Sequence, residues 1–315
     1  MALDLTVPSH FTTQFDKNWK ELAQQKVSRL RSRVQVEDGC TGEARTHNQV
    51  GLVKSERVTG ERFKKIVLQD LPTAKRWVRP DQYQTPTGES KWDERGLLPT
   101  ISPSGKHTMA HFGAFARDVD QCIIDALNGT AYAGDKGADA VVLPDTSIIA
   151  SNYVHTGSGG TATSLTVDKI IGALRILSES EAFNDELAAS GVTLHGVFNA
   201  RMEESLRLEA SKESGSRLFS SDFLPPVLNE RGQIKSFLGI DWTRSELVTK
   251  DAEVADTWYA NIWVSDGVQF DVWEDMKTTI DRRPDLSNAV QFLSQYSMGA
   301  TRLEEKKVIR IACKL

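Results

Sequence analysis

Cysteine is scarce in this sequence and poorly placed for chemistry. Its three residues, Cys40, Cys122 and Cys313, are odd in number and far apart, with no Cys-x-x-Cys pair and no Cys/His cluster. That excludes a disulfide framework or structural zinc site and reads as a chain folding in a reducing cytoplasm. Long apolar runs are missing too. No stretch approaches the ~18 residues of a spanning helix, so a soluble chain with no membrane partner is expected. The opening Met1-Ala2-Leu3-Asp4-Leu5-Thr6-Val7-Pro8 lacks the charged and then apolar run of a secretory signal. A basic excess is also absent: 38 Lys and Arg stand against 43 Asp and Glu, a formal charge of -5. Such a balance argues against a protein that grips nucleic acid over its whole surface.

Catalytic signatures are equally thin. His107 and His111 stand four apart, so one helix face could carry both as metal ligands. No Glu follows His107 to complete a His-Glu-x-x-His motif, and no third ligand is evident, so two ordinary histidines at a helix start are expected. The stretch Gly157-Ser158-Gly159-Gly160-Thr161-Ala162-Thr163-Ser164 lacks the Gly-Lys-[Ser/Thr] ending of a phosphate loop and reads as a connector. No Gly-x-Ser-x-Gly elbow offers a nucleophile. The carboxylates Glu203-Glu204 and Glu304-Glu305 are chain neighbours, which diverge on a helix or strand and make poor acid/base dyads. No catalytic, cofactor-binding or metal residue is assigned, and no cofactor is expected.

What is present is a globular chain of 315 residues, 39% hydrophobic, enough for one large domain or two modest ones. The clearest helix runs from Thr108 to Asn128. Met109, Phe112, Ala116, Val119, Ile123 and Leu127 make one apolar stripe, and Asn128-Gly129 supplies the stop. A second helix follows Thr166 as cap, with Asp168 in its first turn and Val167, Ile170, Ile171, Leu174 and Leu177 on its buried face. Val192–Phe198 reads as a strand leading into a third helix that ends near Leu208. Further strands are expected at Ala138–Leu143, within Phe237–Trp242, at Trp258–Val264 and Val268–Trp273, and around Val308, Ile309 and Ile311. There is no internal repeat, and the mixture is α+β rather than a regular βαβ alternation.

The first hundred residues differ from the rest. Phe11, Phe15, Trp19 and Leu22 mark one face of a helix over 9–31, capped by Ser9. Lys17 to Arg33 holds six basic residues against Glu21. A solvated face explains that charge run, and so does an arm lying on another subunit or a polyanion. From 34 to 104 only 21 of 71 positions are hydrophobic. Phe63–Leu68 and Ala74–Val78 read as strands punctuated by Gly60, Asp70 and Pro72, yet so polar a pair cannot stand alone in water. Between Arg45 and Arg79 lie nine Lys or Arg and three acids, a basic projection on an otherwise acidic chain. Opposite patches of this kind suit head-to-tail contact between copies of one protein. Interleaved Phe63 and Trp77 keep nucleic-acid binding open.

Gln295-Tyr296-Ser297-Met298-Gly299-Ala300-Thr301-Arg302-Leu303-Glu304-Glu305-Lys306-Lys307-Val308-Ile309-Arg310-Ile311 resembles the C-terminal region of tailed-bacteriophage major capsid proteins. There a Gly-Ala-Thr-Arg, Glu-Glu-Lys, Val run precedes the final strand. Asp271–Asp285 is similar to the strand and loop before it, and the order of parts matches along nearly the whole chain. The resemblance implies a Hong Kong 97-like coat fold. Residues 1–33 would be an N-terminal arm, 34–104 an extended loop lying over a neighbour, 105–165 and 275–315 a peripheral domain, and 166–274 an axial domain. It further implies a non-enzymatic protein that self-assembles into hexamers and pentamers, forming an icosahedral head around double-stranded DNA without sequence-specific binding. Scaffolding and portal proteins would be partners, with a decoration protein as a further one. Assembly would take place in the host cytoplasm and the product would be the virion. Candidate contacts between subunits are Lys64, Lys65, Lys75, Arg76, Trp77, Arg79, Arg302, Glu304 and Glu305. About 30 residues precede the long hairpin, so scaffolding is expected to be a separate protein or dispensable. Two other readings remain: an encapsulin-like compartment housing an enzyme, and a soluble α+β enzyme using Gly157–Gly160 for a phosphorylated ligand.

Overall fold

The computed structural model describes residues 25–55, 57, 68–89, 103–154, 160–212, 227–228, 232–252 and 254–315. Residues 9–24 of the expected first helix, 63–67 of the expected strand and Gly157–Gly159 lie outside them.

The polar N-terminal third forms β1 (Gln35–Asp38), the hairpin strands β2 (Arg45–Val50) and β3 (Thr73–Val78), and β4 (Asp81–Glu89). Pro103, whose missing N–H suits a first turn, begins α1 (Pro103–Asn128), 26 residues and about 39 Å long. Three short strands follow, β5 (Ala131–Ala133), β6 (Asp139–Val141) and β7 (Ile148–Ile149), so the strand expected over 138–143 is shorter than its apolar run. Then come α2 (Val167–Glu179), α3 (Asp185–Ala189), β8 (Leu194–Phe198) and α4 (Ala200–Lys212). The chain closes with β9 (Val227–Leu228), β10 (Ile234–Phe237), β11 (Ile240–Arg244), β12 (Thr257–Val264), the long hairpin of β13 (Val268–Arg283) and β14 (Ala289–Arg302), and β15 (Val308–Lys314). The strand expected to stop at Trp273 continues ten residues further, to Arg283, because β14 pairs with it along its length.

Among the described residues three sheets form, ordered β1-β13-β14-β4, β7-β15-β12-β8-β11-β10-β9, and β2-β3-β5-β6. The seven-stranded sheet is buried on both faces, which explains its nearly continuous apolar strands. Ala260, Ile262 and Val264 of β12 and Ile309 and Ile311 of β15 face one core, packed with Ile170, Leu177, Met202 and Leu206 from α2 and α4. Trp263 and Val308 point the other way, into a second core with Val119, Ile123, Ile124 and Leu127 of α1, and with Phe270, Tyr296 and Met298. The alternation follows the period-two pleat. β15 therefore belongs to the large sheet and residue 275 falls inside β13, so the domain boundary expected at 274/275 does not follow the sheets. Nor is 34–104 a free arm. β1 pairs with β13, β4 pairs with β14 over nine positions, and β3 pairs with β5.

Two helix faces differ from the expected stripes. In α1 Ala116, Val119, Ile123 and Leu127 are buried, but Met109 and Phe112 are 45% and 51% exposed. At that end the helix meets polar strand surface, and His111, hydrogen-bonded to Thr87 and Ser294, faces inward instead. In α2 Lys169 is fully buried while Ile171 is half exposed. Lys169 Nζ donates to the carbonyls of Thr163 (2.7 Å), Ser164 (2.9 Å) and Ala312 (3.1 Å), which substitute for its hydration. Thr166 holds the N-cap position without a side-chain cap. The Val167 N–H is satisfied by Glu209 Oε2 of α4 at 3.1 Å.

Ile123 has no exposed surface and sits in the middle of the second core. Ile123→Asp is expected to destabilise the subunit by roughly 2–4 kcal/mol, through lost burial and a carboxylate without partners. A thermal midpoint equal to wild type would show that this face is not the buried one.

Candidate assembly surfaces

The base of the polar hairpin is stapled to its own subunit. Arg76, buried, donates from Nη2 to both carboxylate oxygens of Glu305 (2.7 and 2.6 Å) and from Nε to the Leu303 carbonyl (3.0 Å). Gln49 Nε2 reaches the same carbonyl. Trp77 Nε1 donates to Gly134 O at 2.8 Å, and Arg79 to Lys136 O at 3.1 Å. Behind them His47 Nε2 lies 2.7 Å from Oδ2 of the fully buried Asp271, whose other oxygen accepts from Gln269 at 2.9 Å. Glu37 stands beside this pair, and the three ligating atoms lie within 4.8 Å of one another. Arg45 holds Glu37 in an ion pair, so the cluster reads as that ion pair and a histidine–carboxylate contact joining β1, β2 and β13.

Of the residues expected to touch other subunits, three make contacts within their own chain. Arg302 is fully buried. Its guanidinium donates to the carbonyls of Ala126 (3.0 Å), Leu127 (3.1 Å), Gly129 (2.5 Å) and Val141 (3.2 Å), closing the negative end of α1. Burial lowers its pKa to about 10. Arg76 and Glu305 are consumed by each other, within one chain. Lys75, Arg79 and Glu304 are exposed, and Trp77 is half-buried. Lys64 and Lys65 lie outside the described residues. The C-terminal motif is thus a set of internal fasteners. Its glycine fits the same picture, since a Cβ on Gly299 would sit 2.4 Å from the Arg79 carbonyl.

Two anchors had no sequence signal. Asp120, fully buried on α1, accepts from Ser28 Oγ (2.6 Å), from the backbone N–H groups of Arg29 and Leu30 (3.1 Å each) and from Gln25 Nε2. Arg33 then crosses to β8, with Nη1 3.2 Å from His195 Nδ1. An arginine only donates, so Nδ1 accepts and Nε2–H is left to donate to Thr193 Oγ1 at 2.9 Å. Burial first, and the Arg33 charge second, hold the His195 pKa down to about 4. The unfolded chain, with a histidine near 6.5, binds that proton more readily, so stability is lost as pH falls from about 6.5 toward 4. His195→Gln is expected to flatten that part of a melting-temperature profile. A profile unchanged by the substitution would show that His195 is not the group responsible.

Two of the sites weighed for chemistry, His107/His111 and Glu203/Glu204, hold contacts between elements. His107 Nδ1 and His111 Nε2 both lie 2.9 Å from Thr87 Oγ1, His111 Nδ1 is 2.7 Å from Ser294 Oγ, and His107 stacks on Phe292. They tie α1 to β4 and β14. Glu203 is buried against Arg207 and the Ile234 N–H while Glu204 is exposed, so the adjacent carboxylates diverge.

Among the described residues, two of the open surfaces belong to the hairpin. One is the far end of the β2–β3 hairpin, where Leu52 and Leu68 are 90% and 92% exposed. The other is a groove of about 870 Å³ at the hairpin's root, with Asp38, Glu43, Glu274 and Asp275 around Trp273 and Met276. This arrangement can bind a chain segment.

A comparison with known families accounts for that arrangement: residues 7–315 match the family described as phage capsid protein. The chain belongs to the phage capsid protein family. It is a major capsid protein, the shell subunit of a tailed phage, and its α+β architecture is the Hong Kong 97-like fold. Among solved structures, the capsid of Ralstonia phage GP4 superposes with a TM-score of 0.70 at 10% identity, covering 100% of this chain and 98% of that one. The capsid of cyanophage P-SCSP1u gives 0.67 at 13% identity, over 96% and 93%. Cyanophage Pam1 gives 0.66 at 12%, over 99% of both chains. No curated protein matches the sequence.

Proposed function

We propose that this capsid protein assembles as hexamers and pentamers into an icosahedral head enclosing double-stranded DNA. The family match along residues 7–315 is the observation that supports this reading. An axial unit would be built on the seven-stranded sheet, with β15 included. A peripheral unit would be built on α1 and the β1-β13-β14-β4 sheet, and the β2–β3 hairpin would be the extended loop. Residues 1–33 would be the arm, held at its end by Asp120 and His195. Many repeated weak contacts add around a closed shell, so no single interface needs high affinity. A net charge of -5 suits enclosure of DNA without sequence-specific binding. Scaffolding and portal proteins, and a decoration protein, are partners on this reading. Assembly takes place in the host cytoplasm, and the role is construction of the shell rather than catalysis.

Negative-stain electron microscopy of the expressed chain, with its solution mass, tests the proposal. Closed shells, tubes, or five- and six-membered rings are expected. A chain that stays monomeric, alone and with its scaffolding protein, would overturn it.

A further inference from the structure

Among the described residues one cluster joins three groups of metal-ligating type: Glu37, His47 and Asp271, whose ligating atoms lie within 4.8 Å of one another. Secondary structure puts them there. β1 runs parallel to β13 with Glu37 in register with Asp271, so the two carboxylates stand side by side on neighbouring strands. Over them lies β2, in which Arg45, His47 and Gln49 are half-buried and Thr46, Asn48 and Val50 are exposed. Residues 45 and 47 therefore reach the same pair of carboxylates, Arg45 at Glu37 and His47 at Asp271. Cysteine spacing gives no signal of this cluster, and His47 and Asp271 are 224 positions apart in the chain.

Like charges held directly across a ladder repel, and here one of the two is shielded from water. Asp271 is fully buried, and its described side-chain partners are His47 Nε2 at 2.7 Å and the Gln269 amide at 2.9 Å. No lysine or arginine among the described residues pairs with it. A buried carboxylate is costly unless a cation or a full set of donors faces it. Glu37 already attracts a cation. Arg45 donates to it from Nη2 and reaches Cys40 Sγ from Nη1 at 3.0 Å. The guanidinium thus sits where positive charge is favoured, on a side chain 31% exposed and able to swing out into solvent.

We propose that Glu37, His47 and Asp271 bind one divalent transition-metal ion of the zinc class, displacing Arg45 from Glu37. One imidazole nitrogen and two carboxylate oxygens leave the fourth tetrahedral position to water. The imidazole favours zinc or its first-row neighbours over magnesium and calcium, which take oxygen ligands. At metal–ligand distances of about 2.1 Å, tetrahedral donors stand roughly 3.4 Å apart. The His47–Asp271 contact opens from 2.7 Å to admit the ion, and Glu37, released by Arg45, turns toward it. The Gln269 amide on Asp271 Oδ1 is the outer support that keeps Oδ2 aimed at the metal. Two positive charges balance the two carboxylates. The ion would tie β1, β2 and β13 of one subunit together, a role that stands apart from the assembly reading.

The test titrates the full chain, first stripped with a chelator, with zinc chloride alone in a calorimeter. Saturable binding of one equivalent per chain is expected, with a rise in melting temperature as the ion is added. Glu37→Gln and His47→Gln are each expected to weaken binding by roughly tenfold or more. Glu37 is exposed, so its variant removes a ligand while leaving the core untouched. Arg45→Ala is expected to tighten binding several-fold, because it frees Glu37 from its competing cation. A purely structural ion pair would give the opposite result, a less stable chain with no gain in zinc affinity. His107→Gln, at the other histidine pair, should leave the affinity unchanged. No saturable binding, wild-type affinity in both Glu37→Gln and His47→Gln, or binding abolished by His107→Gln would overturn the site and leave the capsid reading intact.

Discussion

Arg302→Ala is expected to destabilise the subunit by roughly 3–5 kcal/mol, the scale seen when one partner of a buried charged network is deleted. The guanidinium has no solvent-exposed surface and serves four carbonyls, three at the end of α1 and one on β6. Alanine leaves those oxygens in a low-dielectric interior without donors, at about 1–3 kcal/mol for each that water cannot reach. It also empties the volume of the side chain. Arg302→Lys should recover only part of the loss, because an ammonium lacks the planar fork that spans α1 and β6 at once. Urea denaturation of both variants reads the effect directly. A midpoint for Arg302→Ala within error of wild type would mean that water replaces the guanidinium and that α1 needs no internal cap.

Shortening the hairpin should have the larger effect on assembly and little on the fold. Replacing residues 52–71 with Asn-Gly, a pair suited to a two-residue turn, keeps the β2–β3 ladder, the β3–β5 pairing and the Arg76–Glu305 ion pair. The melting temperature is expected to stay at the wild-type value while closed shells disappear from electron micrographs. A wider deletion through residue 80 would be uninformative, since it removes β3 and Trp77 and unmakes a sheet. Normal shells from the shortened chain would show that the tip makes no necessary contact. A lowered melting temperature would show that the tip packs on its own subunit.

The elements readable beforehand were those whose signal is local. α1 announced itself by apolar residues at three- and four-residue steps, and β12 and β15 by short β-branched and aromatic runs. The polarity of 34–104 led to the expectation of a segment held by a neighbour; among its described residues, β1 pairs with β13 and β4 with β14 of the same chain. Composition reports that a strand needs a partner and never says which. Among the contact candidates, charge was taken as a sign of exposure. Arg302 and Arg76 look like surface residues in a charged motif, yet one caps a helix some 175 positions away and the other pairs 229 positions along the chain.

By itself, then, the sequence determined the α+β class, the helical spine and the strands β8, β11, β12 and β15 of the large sheet, because periodicity and composition act over neighbouring residues. Only the tertiary structure decided which charges are buried, which end of the α1 stripe meets the core, and that a groove forms where the hairpin leaves the β13–β14 sheet. Those outcomes depend on carbonyls, carboxylates and strand edges that are remote in the chain and meet only when it folds.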